Sequence, residues 1–174
     1  TLNLILTNMS EATRLEQMLI RTEKLEFDLK TVVCGCIAGY KQVYSDFTFN
    51  LHTELAQLNF FGSPEHIVQL LDKVINNAVE FSQDKIINIE LNLQGDLAEL
   101  SVGNNGVLLP EQLNESLFDS MVSMRDKSKQ EQPHLGLGLY IARLICQFHQ
   151  GNIKAQNHHS PDGVTVKVTL PIKI

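Results

Sequence analysis

At 174 residues, with 43% apolar and 20% charged residues, the chain has the composition of one soluble globular domain plus an appendage, which excludes a disordered or low-complexity protein. A formal charge of -6 argues against nucleic-acid binding, because tracking phosphates takes a surplus of Lys and Arg to displace counterions. No run approaches the ~20 consecutive apolar residues of a membrane span, and three cysteines (Cys34, Cys36 and Cys146) suit reduced thiols better than a disulfide framework or a zinc site.

Ile5, Met9, Ala12, Leu15 and Leu19 recur at helical spacing, the stripe of a helix that joins a bundle or coiled coil. A junction is expected near Glu26 to Asp28, with Asp28 capping the next helix, where Phe27, Leu29, Val32 and Val33 begin a second apolar pattern. Phe47, Phe49 and Leu51 alternate with polar neighbours and predict a half-buried strand. Ser63 and Pro64 then open a helix whose buried face is Ile67, Leu70, Leu71, Val74, Ile75, Ala78 and Phe81. Alternation on both sides of Gln94, Gly95 and Asp96 predicts a β-hairpin, from Ile87 to Leu93 and from Ala98 to Val102. Pro110 to Phe118 suggests a short helix, and the polar, basic stretch from Asp119 to Pro133 a loop. A further amphipathic helix is expected from Leu139 to Phe148, entered through Gly136 and Gly138, and a closing strand from Val164 to Leu170. Together these elements predict an α+β two-layer α/β sandwich, a mixed sheet covered by helices on one face and preceded by a bundle-forming helix.

Three features carry chemistry. Lys73, Asn77 and Glu80 project beside the apolar face of their helix, and Lys73 and Asn77 lie one turn apart. Such a pair offers an ammonium to phosphate and a neutral oxygen to Mg²⁺, although a solvated helix face has the same pattern. Val102-Gly103-Asn104-Asn105-Gly106 leaves the hairpin as a turn rich in short polar residues, which suits ligand contacts and also an ordinary turn. His134-Leu135-Gly136-Leu137-Gly138-Leu139 opens a helix with glycines, which lets phosphate approach the N–H groups at the positive end of the helix dipole. It is neither a Walker A loop nor a Rossmann fingerprint.

In this order the segments resemble those of bacterial sensor histidine kinases. Leu70 to Ser82 resembles the N box, Val102 to Gly106 the first glycine box, Leu117 to Met121 the phenylalanine box and Gly136 to Ile141 the second glycine box. The resemblance spans roughly Phe47 to Pro171, and four ordered motifs are far more specific than any one of them.

The resemblance implies the Bergerat ATP-binding fold over residues 28–174. It also implies that residues 1–27 are the second helix of a truncated dimerisation and phosphoacceptor hairpin, which would form a homodimer. Asn77 would ligate Mg²⁺, Asn104 would read adenine with Gly106 beside it, and the segment from His134 through Leu135, Gly136, Leu137 and Gly138 to Leu139 would cradle the phosphates of ATP. Lys73 would stand beside the reaction, Arg125, Lys127 and Lys129 would neutralise the γ-phosphate from the lid, and Phe118 would anchor that lid by packing. The acceptor histidine would come from a helix outside this chain, and a response-regulator receiver domain would take the phosphoryl group next. The implied location is the cytoplasm, with the parent protein anchored in the bacterial inner membrane.

Departures from the family pattern are specific. Asn104 stands where the family carries Asp, Leu108 and His134 stand where it carries glycines, and Lys73 replaces an Asn. Related hydrolases of the superfamily carry a Glu base at the position of Lys73, so its replacement fits phosphotransfer without efficient water activation. Two alternatives share the fold: a degenerate module acting in dimerisation and partner docking, and a serine kinase of the anti-sigma type.

Overall fold

The structure is a computed structural model that describes residues 2–110 and 135–172, with side chains described for 10–110 and 138–172. In chain order the elements are α1 (Leu2–Arg21), β1 (Leu25–Asp28), α2 (Leu29–Val43), β2 (Thr48–His52), β3 (Asn59–Gly62) and α3 (Pro64–Phe81). They continue as β4 (Ile86–Gln94), β5 (Leu97–Asn105), α4 (Leu135–Phe148), β6 (Asn152–His158) and β7 (Gly163–Pro171). The predicted segments from Glu111 to Pro133, including Phe118, lie outside the described residues.

The main sheet has the order β2-β4-β5-β7-β6, with β2 parallel to β4 and the remaining pairs antiparallel. Each strand alternates, because the pleat sends successive side chains to opposite faces and only one face is covered. Phe49, Ile87, Ile89, Leu91, Ala98, Leu100, Val102, Val166, Val168 and Leu170 form the buried row beneath the helices. Gln94 pairs with Leu97 across the predicted hairpin turn, where Gly95 takes φ +59°, a conformation that glycine adopts without a Cβ penalty.

Helix α3 begins as its sequence dictates: the Ser63 hydroxyl accepts from the His66 amide, and Pro64 occupies the first turn. Its face of Ile67, Leu70, Leu71, Val74, Ile75 and Ala78 is buried. Asp28 caps α2, with Oδ1 accepting from the amides of Lys30 and Leu58 at 3.0 and 2.8 Å, and Oδ2 accepting from the Thr31 hydroxyl. These bonds, led by the one from Leu58, hold its carboxyl below the ordinary range. In α4, Leu139, Ile141, Ala142, Ile145 and Cys146 are fully buried, and burial pushes the Cys146 thiol up to about 12.

Several features differ from the sequence expectation. Strands β1 and β3 pair antiparallel in a separate two-stranded sheet, sealed by an edge-to-face contact of Phe27 on Phe60. Strands this short carry too few residues to display a period, and β6 is likewise unannounced, with Ile153 and Ala155 as its only buried residues. Strand β5 runs on through Asn104 and Asn105 where a turn was expected, because both remain in register with Val164 and Gly163 of β7. Helix α4 begins at Leu135, so Gly136 and Gly138 lie inside its first turn.

The described part of the α1 stripe packs within the chain. Ala12, Leu15 and Leu19 are buried, α1 lies against α4, and Leu15 and Leu19 join the same core as the sheet. Strand β1 straddles the domain junction expected at residue 27.

Candidate functional site

Lys73, Asn77 and Phe81 succeed one another at intervals of four, so α3 presents them along one face. The first turn of α4 meets this face at Lys73, where a Cβ added to Gly138 would sit 3.9 Å from the lysine Cδ and 4.0 Å from its carbonyl oxygen. The end of β5 meets it at Phe81, where a Cβ added to Gly106 would fall 2.6 Å from the carbonyl oxygen and 3.6 Å from Asn104 Nδ2. Only glycine permits the second approach, since a carbonyl of the helix backbone cannot swing aside. Asn77, half-buried, therefore stands midway between the glycine start of α4 and the Asn104–Gly106 end of β5. Among the described residues no side chain is bonded to its amide.

Asn104 ends an inward row of otherwise apolar residues, Ala98, Leu100 and Val102, and is itself 4% exposed. Its neighbours across the ladder are Ile87 and Val164, both buried and apolar. Among the described residues Asn104 Nδ2 is buried with no acceptor. An amide N–H left this way costs about 1–3 kcal/mol, which a water or a ligand in the site would relieve.

Lys73 is committed: its Nζ donates to Glu11 Oε1 of α1 at 2.9 Å, with the two side chains 23% and 38% exposed. No local pattern announces this pairing, because nothing relates residues 62 positions apart before the fold is known. Two further ties hold α3 in place: Tyr40 donates to Asp72 Oδ1 and Tyr44 to Asn76 Oδ1. Burial, then the Asp72 carboxylate, raises the pKa of both phenols, which keeps them as donors.

Behind Asn104 runs a polar chain that sequence reasoning also missed. Asn105 Nδ2 donates to Asp84 Oδ2 at 2.7 Å, which holds the Asp84 carboxyl below its ordinary range. The ring of His158 completes the chain: Nε2 donates to Asn105 Oδ1 at 3.2 Å, and Nδ1 accepts from the Thr165 hydroxyl at 2.8 Å. Beyond Gly106, Asn157 clamps Leu109 through both its amide and its carbonyl, at 2.8 and 2.9 Å. An alternating polar position at a strand end was the one available signal for these residues.

Of the other predicted residues, Leu135, Gly136 and Leu137 contribute the backbone of the first turn of α4, and Leu139 is buried beneath it. Arg125, Lys127, Lys129 and His134 lie outside the described residues. Among the described residues no three His, Cys, Asp or Glu side chains converge on a metal position. A divalent cation here would share the Asn77 oxygen with ligand oxygens, as Mg²⁺ does when it arrives on a nucleotide.

A sheet with one helical face, an asparagine on the facing helix and glycines at a second helix start are the arrangement that the sequence motifs imply. Residues 62–174 match the family model described as histidine kinase-, DNA gyrase B- and HSP90-like ATPase, and the chain belongs to that family. It is 27% identical over 98% of its length to the autoinducer 2 sensor kinase/phosphatase LuxQ of Vibrio cholerae, and covers 20% of that protein. It is 28% identical over 88% of its length to the signal transduction histidine-protein kinase ArlS of Staphylococcus haemolyticus, and covers 36% of it. The chain thus spans about a third or less of the curated relatives it matches. The structure of histidine kinase ThkA in complex with response regulator protein TrrA shares the fold at a TM-score of 0.72, with 23% identity, 95% of this chain and 49% of that chain covered.

Proposed function

We propose that this chain is the ATP-binding catalytic part of a two-component sensor histidine kinase. Residues 28–174 hold the nucleotide, and residues 1–27 supply the second helix of the dimerisation hairpin. The observation that carries this reading is the 73–77–81 face of α3, which meets the glycine start of α4 at one end and the Asn104–Gly106 wall at the other. The family match covers all three elements.

The chemistry asked of these residues is positioning and charge stabilisation, which dominate phosphoryl transfer. Asn104 meets the base from the rigid sheet. The amides of the first turn of α4 receive the phosphates at the positive end of the helix dipole. Asn77 offers a neutral oxygen to Mg²⁺, which when bound neutralises charge on the phosphate oxygens. Arg125, Lys127 and Lys129 from the connecting segment add positive charge around the γ-phosphate, with His134 beside the phosphates, while the Lys73 ammonium stands next to the site in its pair with Glu11. The phosphoryl acceptor is a histidine on the first hairpin helix of the parent kinase, so this chain alone does not autophosphorylate. The parent kinase would be a homodimer at the inner membrane; relay of the group to a receiver domain is supported by the sensor-kinase relatives and by the response regulator in complex with ThkA.

Calorimetric titration with ADP and a non-hydrolysable ATP analogue, with and without Mg²⁺, tests this. The expected result is micromolar binding, about -8 kcal/mol, that depends on Mg²⁺ and is lost in Asn77→Ala while thermal stability stays unchanged. No binding at millimolar nucleotide would overturn the reading in favour of a domain that acts through docking alone.

A further inference from the structure

We propose that Asn104 makes the base site a two-way reader that accepts 6-oxopurines, guanine and hypoxanthine, alongside adenine; this rests on the nucleotide-binding reading above. The starting observation is the buried Nδ2 that no described residue satisfies, on a side chain flanked across the ladder only by Ile87 and Val164. A carboxylate, which the family pattern carries at this place, only accepts hydrogen bonds. A primary amide both accepts and donates.

Purine edges divide on the same chemistry. Adenine presents an amino donor at C6 beside the N1 acceptor, whereas guanine and hypoxanthine present an oxygen acceptor at C6 beside an N1–H donor. Facing the C6 substituent, a carboxylate oxygen accepts from the amino group of adenine and is set against the oxygen of a 6-oxopurine. The amide of Asn104 matches the first with Oδ1 toward the amino group and Nδ2 toward N1. A half-turn about its last side-chain torsion, which has a broad two-fold profile, presents the reverse order to the second edge. No described side chain competes for Nδ2, so neither orientation breaks an existing bond to it. Sites that strand a polar group against the wrong ligand discriminate by factors of 10⁴ or more. Here neither edge strands one, and that source of selectivity is absent.

The test is direct competition among ATP, ITP and GTP, with CTP as a shape control, on the full 174-residue chain by displacement of a fluorescent ATP analogue. ITP is decisive because hypoxanthine carries the 6-oxo edge without the 2-amino group of guanine. The expected result is an ITP dissociation constant within about tenfold of that for ATP, with CTP weaker than both. Tight ATP binding with ITP weaker than this overturns the specificity inference and leaves the nucleotide-binding reading standing, whereas binding of neither overturns both. In Asn104→Asp the preference for ATP over ITP should widen at least tenfold, and an unchanged ratio also overturns the inference. Should that variant fail to fold, the wild-type ratio still decides.

Discussion

Acidification should loosen this domain through one histidine. His149 is 1% exposed and follows the last turn of α4, where its Nδ1 bonds the Ile145 carbonyl at 2.8 Å and its Nε2 accepts from the Ser63 amide at 3.1 Å. Both nitrogens are thus spent on a neutral ring, which also contacts the Phe60 and Phe148 rings. Burial, with a smaller push from the Lys24 charge, lowers its pKa to about 4 from 6.5, while the bond to Ile145 opposes the shift. The group is a base with a depressed native pKa, so between these values the unfolded chain binds more protons and stability falls as pH falls. At ~1.4 kcal/mol per pKa unit the limit is about 3 kcal/mol, and the loss between pH 7.5 and 4.5 is about 2.5 kcal/mol. His66, also lowered by burial, adds to the slope, whereas Asp28, Asp46 and Asp84 titrate below this window. Urea unfolding of the native chain and of His149→Gln, each across pH 4.5–7.5, isolates the ring. The variant should be less stable at pH 7.5 and should lose about 2 kcal/mol less on acidification. Parallel pH profiles would refute the assignment.

Leu15→Ala should cost about 2–4 kcal/mol in the isolated chain, because Leu15 is 3% exposed and joins the main core; a loss below about 1 kcal/mol in denaturant unfolding would show α1 undocked. Gly163→Ala should destabilise by more than about 2 kcal/mol, since a Cβ there would collide with the Asn104 carbonyl and the His158 ring, and an unaltered melting temperature would contradict the close approach of β7 to β5. Asn157→Ala removes both bonds to Leu109, and amide exchange at Leu109 should accelerate while β5 keeps its protection; unchanged exchange at Leu109 would show that the clamp is not formed in solution.

Long apolar periods made most of the scaffold legible. Ser63, Pro64 and the buried stripe to Ala78 announced α3, and alternation on either side of Gly95 announced the hairpin. Strands of four residues hold at most two inward positions, too few to declare a period, so β1 and β3 appeared only once their partners were in place. Asn104 was visible as a residue type, but its burial came from tertiary pairing: Asn-Gly signals a turn until two flanking strands hold the backbone extended. Glu11 could not be assigned to Lys73 because a long-range ion pair leaves no local trace. The same holds for the chain from Asp84 through Asn105 to His158, which three separate segments supply.

Strand β5 is the third of five, paired with β4 on one side and β7 on the other from Leu97 to Asn104. Backbone so placed opens only when the sheet itself comes apart, and its slowest amides should report the global unfolding free energy in hydrogen exchange. Asn104 therefore has no hinge beneath it and adjusts to a base by side-chain rotation alone. Affinity differences among purines at this wall then measure the chemistry of their edges, undiluted by any cost of moving the main chain.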